Sequence, residues 1–263
     1  MKIVIFDLDE TLGYFVEFGM FWDSLNKYIF ENFSLEEPLN FDDVLDLYPE
    51  FIRPNIIPIL KYLKLKKECK HCSKLLIYTN NQGTNLWASK LVSYFELKIK
   101  SNLFDQIISA FKINGKRMEI CRTSHDKSYK DLIKCTKIPL NAEICYLDDT
   151  YYPEMSHKNV FYIHVKPYTH DLTYEVMINR FIESGIGKEY MKPDFNKTML
   201  TNLNKYLFTY IPKSEEESEL DKLVSKQIMI HLQDFFKNSS VKNKKTKHNK
   251  SSYKVGNKTR KRY

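Results

Sequence analysis

The chain has 263 residues, 43% of them hydrophobic and 14% aromatic, enough to bury a sizeable core and to exclude a wholly disordered protein. Its formal net charge of +8 sits at one end: residues 238–263 hold ten Lys or Arg and no acid, and setting those ten aside leaves 31 basic residues against 33 acidic ones. No run of about 18 apolar residues is present, which excludes a membrane-spanning helix, and the short apolar run after Lys2 is not a secretory signal.

The first predicted element is a strand over Lys2–Phe6, which runs into Asp7, Leu8, Asp9, Glu10 and Thr11. Two carboxylates at the end of a buried strand repel each other and resist burial. A metal, a substrate phosphate or chemistry that uses both would offset that cost. An aromatic insertion follows over 14–52, with Tyr14, Phe15, Phe18, Phe21, Trp22, Tyr28 and Phe30, and it reads as a small, largely helical cover over one end of a sheet or as ordinary core helix. Pro54 suits the first position of a helix that turns Ile56, Ile57, Leu60 and Leu63 inward. A second strand is predicted over Lys74–Tyr78. Thr84 then caps a helix carrying Leu86, Trp87, Leu91 and Phe95. A weaker strand over 106–111, a short helix over 128–134, and strands over 143–147 and 159–165 complete the pattern. The strands are continuously apolar, as those buried on both faces of a parallel sheet are, and they alternate with helices. The expectation is an α/β fold with an open, Rossmann-like parallel sheet flanked by helices. Residues 1–187 form that domain, 188–237 a helical appendage with an acidic run over 215–219, and 238–263 a disordered basic tail.

The five cysteines, Cys69, Cys72, Cys121, Cys135 and Cys145, are odd in number and read as free thiols of a reducing compartment, cytoplasmic or nuclear. Cys69 and Cys72 have zinc-knuckle spacing but lack a second pair, so the spacing reads as incidental or structural. His125 and His157 read as surface residues. Richness in Lys, Asn, Ile and Tyr points to an AT-rich genome, such as that of a large DNA virus or a protist.

Three predicted strands end in reactive groups: Asp7-Leu8-Asp9-Glu10-Thr11, Tyr78-Thr79-Asn80-Asn81 and Leu147-Asp148-Asp149. In open α/β sheets, sites form beyond the carboxyl ends of the strands. The Asp-Leu-Asp-Glu-Thr-Leu run resembles the nucleophile motif of the haloacid dehalogenase superfamily of phosphatases, and Thr79, a lysine and Asp148-Asp149 follow in that superfamily's order. Within it the chain is most similar to the NLI-interacting-factor group, which includes phosphatases of the RNA polymerase II C-terminal domain. Arg53-Pro54, Tyr129-Lys130-Asp131-Leu132 and the acidic stretch from Asp171 to Glu175 match that group locally. Two stretches depart from it: Asn80-Asn81-Gln82-Gly83 where small residues are usual, and Asp149-Thr150-Tyr151 where an Asp or Asn, Ser and Pro are usual. The Thr79-Asn-Asn-Gln-Gly83 stretch also resembles superfamily members that act on nucleic-acid 3′-phosphates and on small molecules.

The resemblance implies a Mg²⁺-dependent phosphomonoesterase with an aspartyl-phosphate intermediate. Asp7 is then the nucleophile and Asp9 the acid and base. Asp7, the Asp9 carbonyl and Asp148 hold the metal. Thr79, Asn80 and Lys130 hold the phosphate, and Thr11 and Asp149 support these groups. Lys127 competes for the lysine role, with Lys130 preferred on its Lys-Asp-Leu match. Phosphoserine or phosphothreonine of a protein is the first substrate expectation, a nucleic-acid 3′-phosphate the second, and a non-catalytic binding module the third. The basic tail suits nucleic acid or another polyanion, a nuclear-import signal or a solubilising end, and has no character for membrane insertion.

Overall fold

The computed structural model of the chain describes residues 1–83, 86–207, 210 and 212–237. Its strands are β1 (Lys2–Phe6), β2 (Lys74–Tyr78), β3 (Gln106–Ile108), β4 (Lys112–Ile113), β5 (Lys116–Arg117), β6 (Glu143–Asp148) and β7 (Val160–His164). Five of them form one sheet in the order β3-β2-β1-β6-β7, and every pairing in it is parallel. Val4 lies beside Leu75 on one side and Cys145 on the other, which puts β1 at the centre. Alternate residues of β1 enter different cores. Val4 and Phe6 join one hydrophobic cluster while Ile3 and Ile5 join the other. This is why the run is apolar throughout: each face of the sheet is covered.

The run predicted over 106–111 pairs in the sheet only to Ile108, and β4 and β5 then form a separate antiparallel hairpin. Asn114 and Gly115, both at positive φ, make its two-residue turn, a common hairpin signal that the apolar pattern does not register.

The helices are α1 (Val16–Phe33), α2 (Phe41–Asp46), α3 (Ile56–Glu68), α4 (Trp87–Ile99), α5 (Tyr129–Thr136), α6 (Tyr174–Ser184), α7 (Phe195–Leu203) and α8 (Glu215–Lys237). α3 begins two residues after Pro54, because Asn55 adopts a left-handed conformation (φ 61°) before the helix starts. Ile59, rather than Ile57, joins Ile56, Leu60 and Leu63 in the core. Thr84 lies outside the described residues; Leu86 precedes α4 and is exposed, while Trp87, Leu91 and Phe95 are buried. Most rings of the aromatic insertion are core: Phe15, Phe18, Phe21, Trp22 and Tyr28 are buried, and Phe30 faces solvent.

The helices after residue 187 close the same core as the sheet. Phe195 of α7 meets Tyr28 of α1 edge-on, with ring centroids 4.9 Å apart, and Ile228, Leu232, Phe235 and Phe236 of α8 belong to the main cluster. Asp221 anchors α8: it is fully buried and pairs with Lys166 at 3.1 Å and with Lys213. The expectation of a disordered tail over 238–263 lies outside the described residues. Among the described residues no helix is long and apolar enough to cross a membrane.

One cysteine expectation is corrected. Cys121 and Cys135 form a disulfide that joins the loop after the hairpin to the end of α5; Cys69, Cys72 and Cys145 are free. The fold brings together two thiols that lie 14 residues apart, and nothing in their spacing marks them as a pair. Cys69 and Cys72 do not gather with other ligand types into a metal-sized group among the described residues.

Candidate active site

β1, β2 and β6 end side by side, so the three polar clusters converge. Asp7 is nearly buried, at 7% exposure, and its backbone N–H still donates to Leu147 O at 2.8 Å. Asp7 and Asp9 both line a cavity of about 860 Å³, with Leu8 between them in the core. Thr79, Asn80, Lys127, Asp149 and Thr150 line it as well, and Val16, Gly19 and Met20 of α1 form one wall. The aromatic insertion therefore supplies both core and cover.

The loop after β1 is sharply bent. Glu10 takes a positive φ of 57°, and a Cβ on Gly13 would meet Phe51 O at 2.3 Å, so only glycine fits there. Arg53 holds this loop from behind. Its Nε donates to Thr11 O at 2.6 Å, and its Nη2 donates to Glu10 O at 2.6 Å and Lys166 O at 2.8 Å. Thr11 then ties β1 to β6: its hydroxyl donates to Asp149 Oδ1 and accepts from Asp149 N, both at 3.1 Å. Thr11 and Asp149, each expected to support the site groups, are thus brought into contact with one another.

Of the two candidate lysines, the structure brings Lys127 to the carboxylates and leaves Lys130, the one preferred from the sequence, outside the cluster. Lys127 is 1% exposed and donates to Asp7 Oδ1 at 2.6 Å and to Asp148 Oδ2 at 2.7 Å. Lys130 lies in the first turn of α5, exposed to solvent. The reason is the helix start. Ser128 caps α5 by accepting from Asp131 N at 3.1 Å, which leaves Lys127 in the extended segment that enters the site. Asp131 is buried and accepts from Thr123 N at 2.7 Å, so the Lys-Asp-Leu resemblance marks the element that fixes the loop, not the lysine that reaches the carboxylates.

Arg122, a residue the sequence reading passes over, organises the second strand's end. It is fully buried and donates to Thr79 O at 3.0 Å, Ser109 O at 2.9 Å, Asn80 Oδ1 at 2.7 Å and His125 O at 2.9 Å, with its guanidinium over the Tyr78 ring. It thereby ties the Thr79 loop to the Lys127 loop. Asn80, expected to bind phosphate, also donates to Tyr152 OH at 3.0 Å, so its side chain is engaged with the scaffold. Asn81 is the better placed amide: it donates to Asp9 Oδ2 at 2.5 Å. Tyr146 donates to Asp148 Oδ2, and Thr150 N donates to Asp148 Oδ1 at 2.8 Å. Tyr162 braces the following loop by donating to Thr150 O at 2.8 Å and accepting from Tyr152 N at 2.9 Å. His125 is exposed and His157 stacks on Tyr129, both outside the site.

Four carboxylates gather near one ammonium, and burial raises the proton affinities of Asp7, Asp9 and Asp149. Burial raises Asp7 well above the usual carboxylate range, with Asp148 and Asp149 adding to it and Lys127 opposing it. Burial pushes Asp9 up to about 6 against the hydrogen bond from Asn81. Burial also works against the Lys127 ammonium, but Asp7 and Asp148 outweigh it and hold Lys127 above the ordinary lysine value. The donor set suits a hard cation. Oxygens of Asp7, Asp148 and Asp149 lie within 4.8 Å of one another, and the cluster carries excess negative charge. Asp9 also keeps a buried Oδ1 with no hydrogen-bond partner among the described residues. The chain matches no family model, no curated protein and no solved structure.

Proposed function

We propose that the chain is a Mg²⁺-dependent phosphomonoester hydrolase that works through an aspartyl-phosphate on Asp7, in the manner of the haloacid dehalogenase superfamily. One observation carries the reading: carboxylates from the ends of β1 and β6 share one buried lysine, with Thr79 from β2 on the same cavity. A purely structural ion pair needs one acid. Here four acids are held around Lys127 at the mouth of a cavity, an arrangement that lowers stability unless something else is bound there.

Asp7, Asp148 and Asp149 would hold the metal, with the Asp9 carbonyl as a further donor from the same loop. When bound, Mg²⁺ neutralises phosphate charge and orients its oxygens. Asp7 attacks phosphorus in line with the leaving oxygen; the new Asp–O–P bond forms as the bond to the substrate alkoxide breaks. Asp9, held near pH 6 in its proton affinity and oriented by Asn81, gives its proton to that alkoxide and then takes one from the water that hydrolyses the acyl phosphate. Lys127 stays charged and balances Asp7 before attack and the phosphoryl oxygens after it. The Thr79 hydroxyl, which accepts from Asn81 N at 2.9 Å, is free to donate to a phosphate oxygen.

The substrate class we favour is phosphoserine or phosphothreonine in a protein, because the cavity opens between α1 and the 149–152 loop with room for a chain segment. A nucleic-acid 3′-phosphate is the second reading. It is favoured by Tyr151, 55% exposed beside the cavity residue Thr150 and stacked on Tyr162 at 5.4 Å, a platform on which a base can lie. The test is phosphate release from a phosphoserine peptide and from a 3′-phosphorylated oligonucleotide, each with Mg²⁺ and with chelator. Chelator-sensitive release that Asp7→Asn abolishes supports the hydrolase, and the responding substrate selects the class. Release by Asp7→Asn at the wild-type rate overturns it.

A further inference from the structure

The opposite end of the sheet carries a second cavity, of about 600 Å³, where β1 and β6 begin with Lys2 and Glu143. β1 separates the two ends by five residues, roughly 17 Å of strand. Lys66, Lys70, His71 and Lys237 line this second cavity together with the rings of Tyr62 and Phe236. The single acid on its wall, Glu143, lies 3.9 Å from Lys2, which also donates to Phe235 O. Among the described residues, no carboxylate lies within ion-pair distance of Lys66, Lys70 or Lys237. Outside residues 238–263 the chain has slightly more acids than bases, so this concentration of unpaired cations runs against its average. The cations are also mixed with aromatics. The Lys66 ammonium sits 5.1 Å from the Tyr62 ring centre and 5.6 Å from that of Phe236, and the two rings meet edge-on at 6.1 Å. Finally, Lys237 on this wall is the residue from which the basic stretch over 238–263 continues in sequence.

We propose that this cavity is a binding site for single-stranded nucleic acid, with Lys66, Lys70 and Lys237 on the phosphates and Tyr62 as the stacking surface for a base. Ammonium groups alone would suit any polyanion; the half-buried Tyr62 ring on the same wall favours a ligand that alternates phosphate with a flat ring. The site is separate from the Asp7 cavity and does not depend on the hydrolase reading. It would hold the protein on a nucleic acid while the other end of the sheet faces away from it.

The test is fluorescence anisotropy of a labelled 12-nucleotide oligothymidylate titrated with the full chain, across a salt series. Single-strand affinity falls with salt at about 0.7 of a log unit per phosphate contact. The variant Lys66→Gln/Lys70→Gln, with its tail intact, is expected to bind at least tenfold more weakly and with a slope shallower by about 1.4. Tyr62→Leu keeps apolar bulk and removes stacking; it is expected to cost at least fivefold without changing the slope. Both variants keep the wild-type melting temperature and whatever phosphate release the wild type shows. Wild-type affinity in both variants would mean that the tail alone binds, and overturns the site. Equal competition by inorganic polyphosphate, with no effect of Tyr62→Leu, would reduce it to a charge patch and overturn the nucleic-acid assignment.

Discussion

The two ends of the one parallel sheet use charge in opposite ways. At the carboxyl end, Asp7, Asp148 and Lys127 are buried and Asp9 and Asp149 half-buried, and each is fixed by a named partner: Lys127 between Asp7 and Asp148, Asp9 on Asn81, Asp149 on Thr11. At the amino end, Lys66, Lys70 and Lys237 line a cavity with no carboxylate within ion-pair distance among the described residues, and the Lys66 ammonium lies over the Tyr62 and Phe236 rings. Burial accounts for the contrast. A buried charge must be paired and hydrogen-bonded, which orders the loops around it and makes a site suited to chemistry. An exposed charge is screened and mobile, contributes little to stability, and suits reversible capture of a polyanion. The parallel sheet itself imposes the asymmetry, since its strand-to-helix loops all emerge at one end.

The sharpest way to break the comparison is Asp7→Asn. It should lower phosphate release on the order of 10⁴-fold or more while leaving oligonucleotide binding within twofold of wild type. A parallel loss of both would mean that the two ends are not independent. Next comes Lys127→Ala, which leaves Asp7 and Asp148 buried without their cation and should cost about 3–5 kcal/mol in urea unfolding. Lys130→Ala, three residues on and exposed, should stay within about 0.5 kcal/mol. Equal effects would return the role to Lys130. The Cys121–Cys135 disulfide closes a short loop, so Cys121→Ser or a dithiol reductant should cost about 3 kcal/mol. Because that loop carries Arg122, the loss should reach phosphate release before it reaches oligonucleotide binding.

The smallest expected effect concerns Mg²⁺ and pH, read by thermal shift. Asp7 and Asp9 have raised proton affinities in the folded chain, Asp9 to about 6, so while ionised they cost stability in the metal-free protein. The metal-free chain should therefore gain stability relative to the unfolded state as pH falls from 8 through 6. The metal requires ionised ligands, so its stabilising shift should be at least twofold smaller at pH 5.5 than at pH 8. A shift that does not shrink on acidification would place the metal on other groups. Asp148→Asn should remove most of it at pH 8.

The sequence by itself determined the sheet and much of the site. Continuous apolar runs over Lys2–Phe6 and Lys74–Tyr78 could be buried only on both faces, and the polar groups at their ends had to emerge together. Asp7, Asp9, Thr79 and Asp148 were legible for that reason, as was a short helix near 128–134, while Ser128 as its cap was not. What only the tertiary structure decided were the partners of buried charges. Lys127 and Lys130 are indistinguishable by composition, and the choice between them turns on where α5 starts. Nothing local in the sequence marks the partners of Arg53 or Arg122, yet each is buried and holds carbonyls from separate loops. The Cys121–Cys135 pairing and the basic cavity under β1 likewise depend on chain segments meeting across the fold. Local pattern reports which residues must be buried; which groups they meet there is a property of packing between segments distant in sequence, and no local period encodes it.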